Sequence, residues 1–565
     1  MFLPTTRKEM LKRGWQNLDV ILVTGDAYID SPFIGAAMIG RFLEDKGFRV
    51  GIIAQPDIQS PEDIGRLGQP ALFWGVTAGS VDSMVANYTA SFKRRKQDDY
   101  TPGGINSRRP DRASIVYTNL IRQTFKKTAP IVLGGIEASL RRVAHYDCWS
   151  NRIRRSILLD AKADVLVYGM GESAVKNLAE CYAAGLSIRD IRGICYVADQ
   201  MPDNCLELPS YEAALGNHAA FRDMFQTFYH QNDARTARQM AQPYGNRYLI
   251  HNPPSLPLSQ PDLDALHELA YERELHPFHQ KDGAVRALDT IRFSIATHRG
   301  CFGECHFCAI AVHQGRSIQS RSAASILREA HLFTRHRAFK GVISDVGGPT
   351  ANMFQMSCTR QTEKGVCPTR RCLVPRVCKH MVVDHRPQIT LLQELRRIPG
   401  IRHVFVASGI RYDLILMDAK NGQAYLEELV AHHVSGQMKL APEHSEPDIL
   451  RLMGKPDITL LIEFKKRFDQ LVRSSTSPRY LTYYFIAGHP GCTDAHMTRL
   501  GQFIKTHLHI RPEQIQIFTP TPSTFSTLMY CTGENPFTQQ PVFVEKNIQK
   551  KERQKRLMTS HAHSS

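Results

Sequence analysis

Three cysteines fall four and three residues apart in Arg299-Gly-Cys301-Phe-Gly-Glu-Cys305-His-Phe-Cys308. Thiolates at this spacing can converge from one loop on a small inorganic centre, and soft sulfur donors favour iron–sulfur clusters or zinc. A cubane has four irons, so three cysteines leave one iron open to a substrate or cofactor. A zinc site would need a fourth donor, for which His298 and His306 stand nearby. Three inert core cysteines are the plain alternative. Against it stand Gly300 and Gly303, and the position of the loop just after a strand-like run.

Four more cysteines follow, Cys358, Cys367, Cys372 and Cys378, at spacings of nine, five and six residues. They match no standard zinc-finger pattern. An auxiliary iron–sulfur cluster, a structural zinc, and free or redox-active thiols are the available readings. Seven of the 13 cysteines thus lie between Cys301 and Cys378. Such clustering points to metal before disulfides in a reducing compartment. The same stretch carries Arg360, Lys364, Arg370, Arg371, Arg376, Lys379 and Arg386, with no aromatic residue among them. It suits phosphate contact or a solvated surface better than base stacking.

The elements that must position these residues form two α/β regions. The first opens on the apolar run at 19–25, followed by a helical stretch at 33–46 and strand-like runs at 49–54, 71–76, 131–133 and 165–167. β-branched runs alternating with helices predict a doubly wound parallel sheet. Its glycines at strand ends, Gly25, Gly75, Gly134 and Gly169 among them, serve either ligand approach or tight turns. Between 201 and 286 the pattern weakens under Pro253, Pro254, Pro257, Pro261 and Pro277, and a connecting segment is predicted there. Strand-like runs then recur at 291–297, 341–346, 403–407, 437–440, 481–487 and 514–518, with helical patterns between them. Six βα repeats predict a parallel sheet curved into a partial (β/α)6 barrel. The expected division is an N-terminal α/β domain at 1–200, the connecting segment at 201–286, a core at 287–535 with a Cys-rich insertion at about 353–386, and a basic tail at 536–565 ending in a loose polar stub.

At 565 residues the chain is long enough for several cores. A 42% hydrophobic and 22% charged composition fits a globular protein rather than a disordered one. No run of roughly 18 apolar residues predicts a membrane span, and residues 1–15 lack the apolar core of a signal peptide, so a cytoplasmic protein without a membrane partner is expected. The formal charge of +17 permits an RNA partner, although scattered surface Lys and Arg give the same total.

The triad resembles the CxxxCxxC signature of radical S-adenosylmethionine (SAM) enzymes, with Phe307 as the aromatic before the last cysteine. More closely, the stretch 291–310 and His313-Gln-Gly-Arg316 resemble the YgiQ family of radical SAM proteins, a likeness running from about 15 to 545. The resemblance implies a [4Fe–4S] cluster on Cys301, Cys305 and Cys308, SAM bound at the fourth iron, an external electron donor, and a 5′-deoxyadenosyl radical acting on an unidentified substrate. It also implies cofactor contacts from Phe307, Gly347 and Gly348 after the second strand, Ser408 and Arg411 after the third, Glu443 after the fourth, and Ile486 on the fifth. The segment 441–455 is similar to one in methylthiotransferases that modify tRNA, which brings RNA forward as a substrate class. The N-terminal region resembles cobalamin-binding domains, but its turn, Asp26-Ala-Tyr28-Ile-Asp30-Ser-Pro-Phe-Ile-Gly35, has no histidine where DxHxxG would place the cobalt ligand. A histidine-ligated cobalamin is therefore disfavoured, while cobalamin without that ligand, a substrate or other nucleotide-like ligand, and an inert scaffold stay open. The competing class is a non-enzymatic iron–sulfur or zinc protein with a redox or nucleic-acid-binding role.

Overall fold

The computed structural model describes residues 1–473, 478–512 and 514–558. The polar stub expected after the basic tail lies outside them from 559 onward. The chain divides into two compact units: Met1–Leu258 with Ala265–Arg292, and Ser259–Asp264 with the chain from Phe293 onward.

The first unit is built on a nine-stranded sheet. Its strands are β1 (Val20–Thr24), β2 (Val50–Ala54), β3 (Phe73–Thr77), β4 (Ile131–Gly134), β5 (Val165–Val167), β6 (Ile194–Ala198), β7 (Leu206–Glu207), β8 (Met240–Tyr244) and β9 (Arg247–His251). All five residues of β1 are buried, as continuous apolar runs in a sheet covered on both faces must be. The order is β2-β1-β3-β4-β5-β6-β9-β8-β7, and the first five strands are parallel. Helix Gly35–Asp45 buries Ala36, Ala37, Met38 and Leu43. A Cβ on Gly40 would stand 2.6 Å from Leu3 Cδ1, so the glycine is what lets this helix settle onto the core.

The stretch expected to be a connecting segment contributes β7, β8 and β9 to this sheet. Pro243 lies inside β8, and β9 pairs antiparallel with both β6 and β8, so these strands lack the βα rhythm that marks the others.

The second unit holds six parallel strands: β10 (Ser294–Ala296), β11 (Asp345–Gly347), β12 (His403–Val404), β13 (Gln437–Glu443), β14 (Tyr480–Ala487) and β15 (Gln514–Ile517). Ile295 lies opposite Val346, and Val346 N donates to Phe405 O at 2.9 Å. Ile410 bridges Leu440 in parallel, and β13, β14 and β15 pair in turn. Helices Ala323–Thr334, Arg386–Arg397, Gly422–Glu428, Pro447–Met453, Thr459–Arg473 and Asp494–Phe503 alternate with the strands. This is the predicted parallel α/β arrangement. The first strand starts later than expected, because Arg286–Ile291 is a helix that buries Ala287 and Leu288 in the first unit's core.

The basic tail is also part of the fold. Helix Ile548–Leu557 buries Lys551 and Gln554; Lys551 Nζ donates to Tyr530 OH at 3.1 Å and Gln554 Nε2 to Cys492 O at 3.1 Å.

Candidate active site at the barrel strand ends

The triad loop leaves the short segment His298–Arg299 and returns at Gln319–Ser320, which pairs with it antiparallel. Gly300 makes the turn possible. Its φ is +80°, and a Cβ there would meet Ser317 O at 1.9 Å. Cys301 N donates to Gly315 O at 3.3 Å, and Cys308 N to Cys305 O at 3.0 Å, so the loop folds back on itself.

The three thiols converge. Burial pushes the Cys308 thiol up to about 12, with Cys305 and Cys301 adding to the shift; burial, with a contribution from Cys305, also raises Cys301. Gly303 N donates to Cys301 Sγ at 3.3 Å, and Thr350 Oγ1 stands 3.5 Å from the same sulfur. Backbone donation of this kind stabilises a thiolate. Among the described residues no group of His, Cys, Asp and Glu closes around a single metal ion. A cubane asks for something else: thiolates spaced around a cluster, each on its own iron. Three half-buried sulfurs gathered in one loop, with an N–H donor on one of them, fit that group.

The neighbouring histidines do not complete a zinc site. His306 Nδ1 lies 2.7 Å from Leu452 O, and the ring packs against Phe525 and Phe537. His298 packs against Gly348, where a Cβ would fall 2.6 Å from the ring. Its Nδ1 lies 2.8 Å from Thr297 Oγ1, its Nε2 has no hydrogen-bond partner, and burial lowers its pKa to about 4.

The other residues predicted from sequence fall into three groups. Gly347 and Ser408 meet: a Cβ on Gly347 would stand 3.2 Å from Ser408 Oγ. Asp345 holds the third strand's end, accepting from Ala407 N at 2.8 Å, Ser408 N at 3.1 Å and the Ser408 hydroxyl. Arg411 lies beside the triad, with Nη1 3.9 Å from Cys305 Sγ, while its Nε and Nη2 donate to Asp413 at 2.8 and 2.6 Å. Glu443 ends β13 at a φ of +69°, and burial raises its carboxyl despite the opposing charge of Lys455. Phe307 stands edge-on to His489 at 6.4 Å, and Ile486 lies on β14 opposite Gln516.

Sequence reasoning missed Lys455. It is 6% exposed, and its charge is felt by Cys308, Asp413 and Glu443. It also missed Glu304, a buried carboxylate within the triad loop at φ +45° that pairs with Arg316 at 3.1 Å. No spacing rule ties Lys455 to the cysteines; Glu304 directly precedes Cys305, and what the sequence does not show is its buried pairing with Arg316.

At the β1/β3 switch point of the first unit, where open α/β sheets bind ligands, Arg109 donates to Asp26 at 2.8 Å and to Asp98 at 3.1 Å. Asp26 also accepts from Ser80 N at 2.6 Å, and Gln55 Nε2 donates to Gly25 O at 2.9 Å. Tyr28, at the position of the cobalt-ligating histidine, is buried with its ring stacked on His276. The turn offers no imidazole for cobalt, and its ions are paired with each other.

A Radical SAM N-terminal family model matches residues 2–294. A UPF0313 protein of Fusobacterium nucleatum is 52% identical over 559 residues, covering 99% of this chain and 98% of its own. The chain belongs to the UPF0313 family of radical SAM proteins. A Thermotoga maritima member is 51% identical over 560 residues, covering 98% of each chain. Among solved structures, the radical SAM methyltransferase TsrM of Kitasatospora setae, with cobalamin and a [4Fe–4S] cluster bound, aligns with a TM-score of 0.51 at 14% identity. That match covers 91% of this chain and 78% of TsrM. The cobalamin-dependent SAM radical enzyme OxsB aligns with a TM-score of 0.50 at 12% identity, covering 94% of this chain and 58% of OxsB. At such identities the likeness is one of fold. The family makes the chain a radical SAM enzyme, a class that needs an electron donor and a substrate, and sets aside the non-enzymatic reading. Among the described residues no helix is long and apolar enough to cross a membrane.

Proposed function

We propose that Cys301, Cys305 and Cys308 hold three irons of a [4Fe–4S] cluster and that the barrel's strand ends bind SAM at the fourth. When bound and reduced, this cluster supplies the electron that splits SAM into methionine and a 5′-deoxyadenosyl radical, which takes hydrogen from the substrate. The observation that carries this reading is the convergence of three half-buried thiols in one loop with a backbone N–H on Cys301.

The chain's own residues prepare the site. Gly303 and Thr350 stabilise the Cys301 thiolate. Arg411, held in place by Asp413, sets a positive charge beside Cys305. Lys455 and Glu443 bring one buried cation, felt by Cys308, and one buried carboxyl into the same neighbourhood, suited to the carboxylate and amine of a methionyl group. Gly347, Gly348 and Ser408 give backbone approach at the second and third strand ends, and Phe307 and Ile486 are the apolar candidates for the adenine. No disulfide joins any of the 13 cysteines, which supports a reducing, cytoplasmic setting.

RNA is the substrate class that the surface favours, because Arg360, Lys364, Arg370, Arg376 and Lys379 of the insertion are all exposed. RNA binding that weakens steeply with salt supports it; absence of binding at low salt removes it.

The decisive experiment reconstitutes the protein with iron and sulfide without oxygen, adds SAM and dithionite, and quantifies 5′-deoxyadenosine. Product from the wild type and none from Cys305→Ala is expected. A fully loaded wild type that binds no SAM overturns the proposal.

A further inference from the structure

The insertion after β11 gathers its four cysteines. Ser357–Cys358 pairs antiparallel with Met381–Val382, which sets Cys358 opposite Met381. Met381 N donates to Cys378 O at 2.9 Å, and Cys378 N donates to Cys372 O at 2.8 Å. Three of the cysteines are thereby tied to the base of one hairpin. Cys367 follows the short helix Gln361–Lys364 and Gly365, whose φ of +71° turns the chain. The Cys372 thiol is within electrostatic reach of Cys358, Cys367 and Cys378, so all four sulfurs share one neighbourhood. Gln361 Nε2 donates to Cys372 Sγ at 3.5 Å, a contact suited to a thiolate.

Ordinary packing does not account for this group. Cys358 and Cys378 are buried, but Cys367 and Cys372 are only half-buried, and none of the four forms a disulfide. The surrounding apolar cluster is small, with Phe302, Met353, Met356, Leu373 and Leu414 at its heart. A segment so short of core depends on some other tie.

We propose that Cys358, Cys367, Cys372 and Cys378 hold a second iron–sulfur cluster, separate from the one on the triad. Structural zinc sites of four cysteines are built from two closely spaced Cys pairs, and spacings of nine, five and six residues supply at most one, Cys367 with Cys372. A cluster takes each thiolate on a different iron and does not ask for such pairs. Four cysteines leave no iron open, so this centre is structural or electron-carrying and does not bind SAM. It is anchored to the triad loop: Arg371 donates to Glu304 O at 2.6 Å, and Cys301 and Cys372 pack on the same apolar cluster.

The test uses the full chain with Cys301, Cys305 and Cys308 all replaced by alanine, reconstituted without oxygen and assayed for iron, sulfide and zinc. For two cubanes the wild type binds about eight irons and the triad variant retains about four, with matching sulfide. Adding Cys372→Ser, or separately Cys367→Ser, removes the remainder, while circular dichroism reports whether each variant is folded. A folded triad variant without iron and sulfide overturns the proposal, as does one holding a single zinc. Should the triad variant not fold, the wild-type count decides: about four irons with matching sulfide overturns the second cluster and leaves the first intact. A wild type whose iron is lost only with the quartet would count against the triad instead, so the two failures are distinguishable.

Discussion

Both units end parallel strands in polar groups, but they treat those groups differently. In the sheet unit, Arg109 is enclosed with Asp26 and Asp98, so the buried charges answer one another within the chain. In the barrel unit, three half-buried thiols gather in one loop, and His298 buries an Nε2 without a hydrogen-bond partner. Buried polar groups are expensive unless satisfied. A strand end that satisfies itself serves as scaffold; one that leaves sulfur and imidazole waiting is prepared for a ligand.

That contrast breaks most readily at Cys305 and Arg109. Cys305→Ala is expected to abolish 5′-deoxyadenosine formation. Arg109→Met is expected to keep iron content and SAM cleavage while destabilising the protein by about 3–5 kcal/mol, measured by denaturant unfolding, because two carboxylates lose their buried partner. An Arg109→Met protein that stays folded and loaded with iron yet cleaves no SAM would make the first unit's strand ends a working part of the catalyst.

Gly300→Val should come next. The branched side chain meets Ser317 O at a backbone conformation it rarely adopts, and most of the iron should be lost while the sheet unit still melts cooperatively. Wild-type iron content in that variant would show that the turn is not what gathers the thiols.

A subtler effect is expected from Arg411→Met. Removing a cation beside Cys305 makes added negative charge less favourable, so the cluster's midpoint potential, read by redox titration, should become more negative. An unchanged potential would assign Arg411 to packing alone.

The smallest effect concerns the layer behind Arg411. Asn352 donates to Arg411 O at 3.0 Å and contacts His385, which pairs with Asp418. Burial opposes ionisation of Asp418, yet hydrogen bonds from His385 and Asn421 outweigh it and hold the carboxyl at about 2 rather than the ordinary 3.8. A depressed acid contributes stability that is complete above 3.8 and disappears as the pH falls through about 2. Asp418→Asn should flatten the acid limb of the stability curve over that interval, and an unaltered limb would show that the pair is too weak to matter.

Chemistry was more legible in the sequence than placement. The triad declares itself because all three sulfurs lie within eight residues, and β1 to β5 and the barrel strands declare themselves by apolar runs alternating with helices, while β6 escaped. β7 to β9 escaped because their partners are antiparallel or at the sheet edge and one of them contains Pro243. The helix Ile548–Leu557 was read as a basic tail because the residues it buries, Lys551 and Gln554, are polar and leave no apolar stripe. Lys455 became visible only when long-range packing brought it to the cysteines, and Glu304, already in their loop, only through its buried pair with Arg316.

That same helix has a consequence for how the protein is made. Lys551 lies across Gly488 at the end of β14, where a Cβ would stand 3.0 Å from its side chain, and Gln554 reaches back to Cys492. The segment that seals the fifth barrel strand is therefore translated after every strand it covers. During synthesis the half-made barrel stays open at that seam, and closure waits for the newest residues to emerge.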